Sequence, residues 1–170
     1  MPVIKKYTNG SALEKLKWGI VPSWSKKKDF KPLINSRLET IDEKISFKKL
    51  IKLKRCIAIA DGFYEWKRTE KEKKPFFFQR EDKKIIYFAG IYDENEFCLI
   101  TEQASENVLE IHHRQPVILN QKDLKSYLDL QLDGSAFLKE ARKPRLEFYE
   151  VSKDVNKPSN NSISLIQSLN

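Results

Sequence analysis

The chain has 170 residues and a mass of 20.0 kDa, is 40% hydrophobic and 11% aromatic, and holds only 5 Gly and 7 Pro, which excludes disordered, collagen-like and low-complexity classes. Its 32 Lys and Arg against 24 Asp and Glu leave a net charge of +8, unevenly spread: residues 1–90 carry 23 basic and 11 acidic side chains, residues 91–170 carry 9 and 13. A basic half attracts a polyanion, most commonly nucleic acid, although a solvated lysine-rich surface gives the same count. No apolar run reaches the length of a bilayer span. Cys56 and Cys98 lack CxxC spacing. These features lead to the expectation of a cytoplasmic monomer with no membrane partner, no metal and no cofactor.

In chain order, Pro2-Val3-Ile4 reads as a short strand. Leu16, Trp18 and Ile20 alternate with Lys15, Lys17 and Gly19, which predicts a half-buried strand ending at Pro22 with Trp18 in the core. A basic loop follows over residues 25–32. The spacing of Ile45, Leu50 and Leu53 among lysines predicts a basic amphipathic helix from Ile41 to Leu53. Strands then dominate, at residues 56–60, 63–66, 75–80, 84–91 and 97–101. Residues 105–112 read as a helix with Ser105 at its N-cap, and 117–119 as a short strand. Helices at 123–130 and 135–141 precede a closing strand at 146–151. Helices inserted among grouped strands make an α+β fold, in a single domain over residues 1–170.

Three segments carry residues suited to chemistry. In Asp61-Gly62-Phe63-Tyr64-Glu65-Trp66, strand alternation puts Glu65 on the face of Phe63, opposite Tyr64 and Trp66. A carboxylate among aromatics loses solvent, binds its proton more tightly and suits acid–base work; an edge-strand Glu in water or paired with Lys67 fits the pattern too. In Leu33-Ile34-Asn35-Ser36-Arg37, extended backbone points Asn35 and Arg37 the same way, where an amide and a guanidinium could hold a phosphate or sugar. An ordinary capped turn is the plainer account. Ile111-His112-His113-Arg114-Gln115-Pro116 holds both histidines. Adjacent histidines without Cys or acidic neighbours make a poor metal site, and a His before Arg fits a proton donor beside a phosphate contact, or a surface pair. Trp24, bordering Lys26, Lys27 and Lys28, could stack on a base while the lysines hold phosphates. No Walker, GxGxxG or GxSxG pattern is present.

In order, LKWGIVPSW (16–24), LINSRLET (33–40), RCIAIADGFYEWK (55–67), PFFF (75–78), LIT (99–101) and IHHRQPVIL (111–119) resemble the SOS response-associated peptidase (SRAP) family of abasic-site processing proteins. The resemblance covers nearly the whole chain. It implies a curved, partly barrel-like antiparallel or mixed sheet with peripheral helices. It also implies processing of abasic sites in single-stranded DNA. In the family an N-terminal cysteine reacts with the ring-opened sugar aldehyde, its amine forming a Schiff base and its thiol closing a thiazolidine crosslink. The same nucleophile is thought to cleave a propeptide in some members. By resemblance Asn35 orients the sugar, Glu65 shuttles protons and His112 protonates the opened sugar oxygen. Arg37, Thr101, Arg114 and Trp24 fall where the family contacts phosphates and bases, and Lys26–Lys28 extend that surface. The sequence departs from the pattern in its opening, Met1-Pro2-Val3-Ile4, where the family's Met-Cys-Gly-Arg segment is expected upstream. His113 stands where an acid is usual. The resemblance therefore implies crosslinking chemistry crippled for want of that cysteine; the alternative is a non-catalytic module that binds single-stranded DNA.

Overall fold

The run Arg55–Ala60 is apolar on both faces because it forms a strand in the middle of a sheet. A computed structural model describes residues 1–25 and 29–169, which divide into two compact units. The first comprises Met1–Ala60, Tyr87–Glu102 and Pro116–Lys143. Its sheet is built from β1 (Pro2–Tyr7), β2 (Gly10–Lys15), β5 (Arg55–Ala60), β8 (Ile86–Asp93) and β9 (Glu96–Gln103), in the spatial order β9-β8-β5-β1-β2. Two short strands, β3 (Lys17–Trp18) and β4 (Asn35–Arg37), pair in parallel with β9, and β11 (Ile118–Leu119) pairs with β8. Only Leu16 separates β2 from β3, yet β2 lies beside β1 while β3 lies beside β9. Consecutive strands can reach opposite sides of one sheet only if the sheet curls, and here it forms a strongly curled half-barrel.

The curled sheet buries Ile57, Ala89, Ile91, Cys98 and Ile100 against Ile41, Phe47, Leu50 and Ile51 and against two helices, α3 (Leu124–Leu128) and α4 (Gly134–Glu140). Tyr127 of α3 is fully buried, and its hydroxyl donates to the Gly90 carbonyl at 2.8 Å. Asp133 caps α4, accepting from the Ala136 N–H at 3.0 Å.

The second unit comprises Asp61–Ile86, Gln103–Gln115 and Pro144–Asn170. Its sheet runs β12-β7-β6, from β6 (Phe63–Arg68), β7 (Lys73–Arg80) and β12 (Leu146–Glu150), all antiparallel. Phe63 opposes Phe78, Phe78 opposes Phe148 and Glu65 opposes Phe76, so these side chains share one face. The opposite face presents Tyr64, Trp66, Phe77 and Tyr149 to the C-terminal segment. There the Tyr64 hydroxyl donates to the Leu165 carbonyl at 3.3 Å, Tyr149 to the Ile166 carbonyl at 2.8 Å, and the Trp66 indole N–H to Asn156 at 2.9 Å.

The structure corrects three sequence expectations. Between Ile41 and Leu53 only Leu50–Leu53 (α1) is regular α-helix; residues before it form a train of turns, because Ile45 and Leu53 are solvent-exposed and give the run no continuous apolar stripe. The helix expected over 105–112 is one turn, α2 (Glu106–Leu109), and the Ser105 hydroxyl bonds to Asn107 and Gln115 instead of capping it. Trp18 is 45% exposed: the alternation breaks after Leu16, and the Trp18 ring lies against Phe97 with its indole N–H donating to the Ile34 carbonyl at 2.8 Å.

Candidate active site

Glu65 lies in the middle of β6, on the face it shares with Phe63, Phe76 and Phe148. Its strand is at the edge of the three-stranded sheet, but among the described residues its carboxylate makes no ion pair with Lys67 or with a cation on the neighbouring strand. The imidazole of His112 is beside it instead, with Nδ1 3.9 Å from Oε2. Loss of solvent pushes the Glu65 carboxyl above the ordinary glutamate range. The nearby His112, the Trp66 backbone N–H and Lys73 pull it back only in part. Desolvation wins over attraction at this carboxylate.

His112 ends the turn begun by α2, its backbone N–H donating to the Val108 carbonyl at 3.0 Å. Nδ1 is 2.9 Å from the Arg114 carbonyl and 3.2 Å from the Arg114 N–H. It therefore has a backbone partner in either protonation state, donating to the carbonyl or accepting from the amide. That anchors the ring. Among the described residues Nε2 has no hydrogen-bond partner, so it is the nitrogen available to exchange a proton with a ligand. The His113 ring is 4.5 Å from that of His112, and Gln115 is turned away, accepting from the Ser105 N–H and hydroxyl at 2.9 Å each.

Asn35 and Arg37 lie in the first unit, on β4. Both are exposed while Ser36 between them is buried, the alternation an extended segment dictates. Ser36 is held from both sides of its peptide: its hydroxyl is 3.4 Å from the Leu99 carbonyl, and its own carbonyl accepts from the Thr101 hydroxyl at 3.2 Å. Thr101 is buried, so its hydroxyl positions β4 from within. Trp24 is 56% exposed and meets Phe30 edge-on, with ring centres 6.1 Å apart. Lys26, Lys27 and Lys28 lie outside the described residues. Sequence reasoning missed Trp18, which it assigned to the core. With exposed Ile34 and Val21 it adds apolar surface to the part of the first unit that carries β4. The signal was available in Gly19, whose φ of +110° interrupts the strand directly after Trp18. Lys73, which also draws the Glu65 carboxyl down though less than His112 does, was missed as well, because nothing in its spacing points across the β6–β7 hairpin. A cleft of ≈ 630 Å³ between the β1–β2 hairpin and α3 has walls of Ile4, Ile57, Leu124 and Leu128, and its charged pair, Lys6 and Asp129 at 3.9 Å, is exposed.

The order of these motifs along the chain is the decisive observation. The model of the SOS response associated peptidase (SRAP) family matches residues 1–158. The chain belongs to the SRAP family. Among its SRAP relatives is the abasic site processing protein YoqW of Bacillus subtilis, 37% identical over 94% of this chain and 78% of its own length. YedK of Escherichia coli, also an abasic site processing protein, is 33% identical over 91% of this chain and 74% of its own. A crystal structure of a Bacteroides thetaiotaomicron protein superimposes with a TM-score of 0.84 at 25% identity, covering 98% of this chain and 80% of that one. The half-barrel is therefore the fold of solved neighbours as well as of this chain.

Proposed function

We propose that this SRAP chain processes abasic sites in single-stranded DNA, with Glu65 and His112 moving protons at the opened sugar. The observation that carries the reading is the desolvated Glu65 carboxyl 3.9 Å from an imidazole anchored through Nδ1. A ring-opened abasic sugar presents an aldehyde. When an amine attacks, its nitrogen lone pair bonds to the carbonyl carbon, the oxygen takes up a proton, and water leaves as the imine forms. That sequence needs one group to donate to oxygen and another to accept from nitrogen. A carboxyl with raised proton affinity beside a histidine can fill both roles. Asn35 and Arg37, exposed on one face of β4, supply an amide for the sugar and a guanidinium for a phosphate, with Arg114 as a second phosphate contact. Trp24 supplies a stacking face, extended by Lys26–Lys28. Thr101 serves by fixing β4.

Within residues 1–170 no thiol stands beside an α-amine. Cys56 and Cys98 are in mid-strand and fully buried; burial raises the Cys56 thiol well above its usual range and pushes Cys98 up to about 12. The reading is tested by incubating abasic single-stranded DNA with the 170-residue chain and with the same chain preceded by the family's Met-Cys-Gly-Arg segment. Denaturing electrophoresis and mass spectrometry read the adduct. The 170-residue chain should give at most an imine trapped by borohydride, and the extended chain a stable adduct. Glu65→Gln in the extended chain should slow adduct formation about 100-fold, the scale of a lost acid–base group. A stable adduct from the 170 residues without borohydride overturns this chemistry. Binding without adduct from either chain leaves the non-catalytic module.

A further inference from the structure

Residues between β4 and β5 form a helical train whose inner and outer sides differ sharply. Backbone bonds run from the Lys44 carbonyl to the Lys48 N–H at 2.9 Å, from Phe47 to Ile51 at 2.9 Å, from Lys49 to Leu53 at 3.1 Å and from Leu50 to Lys54 at 2.7 Å. This is one and a half to two helical turns by hydrogen bonding, although only α1 is regular. Phe47, Leu50 and Ile51 are buried in the half-barrel core. At about 100° per residue, Lys48, Lys52 and Lys49 then fall within roughly a third of the circumference on the outer side, with Lys44 one turn before them. All four are exposed, and among the described residues none has a carboxylate within ion-pairing distance. Their neighbour Lys54, by contrast, is paired with Asp93 at 2.5 Å, and Lys5 with Glu14 at 2.7 Å.

We infer that this lysine row, Lys44-Lys48-Lys49-Lys52, is a second phosphate-holding surface that carries single-stranded DNA beyond the lesion. The partner class follows from charge and from continuity. Four exposed ammonium groups, none with an ion-paired carboxylate among the described residues, outnumber the exposed Asp42 and Glu43 of the same segment and favour a polyanion. The row spans about 12 Å at 1.5 Å per residue, long enough to meet more than one phosphate of a strand. In the same unit the row follows β4, which carries Arg37, after the single turn Leu38–Thr40, so both groups of cations belong to one continuous stretch of chain. An anionic membrane is the weaker occupant. The apolar residues of this segment face the core, and Ile45 (74% exposed) and Leu53 give too little apolar area to enter a lipid interface.

The inference rests on the proposed reading only for its partner class. The test measures binding of an unlesioned 30-nucleotide dT strand by fluorescence anisotropy across a salt series, for the wild type and for Lys48→Ala/Lys49→Ala/Lys52→Ala. The triple variant should lower the slope of log affinity against log salt by about 2, since each lost single-strand phosphate contact removes about 0.7. The triple Arg variant at the same positions should keep the wild-type slope. Circular dichroism should be unchanged in both, because the three side chains are exposed. An unchanged slope in the Ala variant overturns the inference, as does a loss confined to binding of anionic vesicles. If the slope falls while Glu65→Gln leaves abasic-site processing intact, the row stands and the catalytic reading falls; the reverse pattern removes only the row.

Discussion

At Glu65 the burial that raises proton affinity also makes the ionised form the less favourable one in the fold. The folded value is above the unfolded one, so the stabilisation is complete at low pH and is lost as pH rises through the folded value. The wild type should therefore lose stability across and just above the ordinary glutamate range. Glu65→Gln removes that loss, because its amide is neutral at every pH. The variant should be as stable as the wild type or more so at pH 7, by a few tenths of a kcal/mol given the quarter of the side chain still in solvent. At about pH 4 the difference should vanish. Urea midpoints at the two pH values check this; a variant markedly less stable at pH 7 would show that the carboxylate supports the sheet. The expected loss of activity with no loss of stability is what separates a residue kept for chemistry from one kept for structure.

Among the elements, the Asp61-Gly62 corner that delivers β6 is the most constrained. A Cβ on Gly62 would be 2.2 Å from the Phe77 ring and 2.5 Å from the Phe78 carbonyl oxygen, and the oxygen belongs to backbone already paired across the β7 ladder. Gly62→Ala should cost about 3 kcal/mol and lower the melting temperature by about 6–12 °C for a chain of this size. A shift of only a degree or two would mean that the corner relaxes freely. The sequence made this corner legible because the apolar run of residues 56–60 stops at a turn dipeptide, and β8 and β9 were legible as apolar runs in the same way. It made Glu65 legible because two-residue alternation survives on β6. It concealed β2, whose Gly-Ser-Ala-Leu-Glu-Lys is nearly all exposed and follows no buried pattern. It misread residues 41–53 because charge at helical spacing resembles an amphipathic helix even when Ile45 points outward. The pairing of Glu65 with His112 was implied by family resemblance alone: 47 residues separate them, and no local rule links a strand centre to the end of a one-turn helix.

For the whole molecule, the excess of 23 basic over 11 acidic side chains in residues 1–90 sets a field that acts before any specific contact. Binding of single-stranded DNA should weaken steeply with salt. Arg37→Ala should lower affinity for different base sequences about equally and reduce the salt slope by about 0.7, since a phosphate contact positions a strand without reading it. Base-dependent losses in a competition titration would instead make Arg37 a base contact.

Cys56 and Cys98 give the first unit a built-in clock for its own opening. Each thiol is sealed in the strands around Gly90, where a Cβ would already be 3.2 Å from the Cys56 sulfur, and each is held in its unreactive protonated form. An alkylating reagent can reach them only through molecules in which the half-barrel has parted. At low reagent, labelling should advance at the rate for an open thiol multiplied by the fraction of molecules open. At high reagent it should level off at the rate of opening itself. With no other thiol in the chain to compete, the mass added over time reports the lifetime of the curled sheet without any introduced probe, and the order in which the two labels arrive tells whether β5 and β9 separate together.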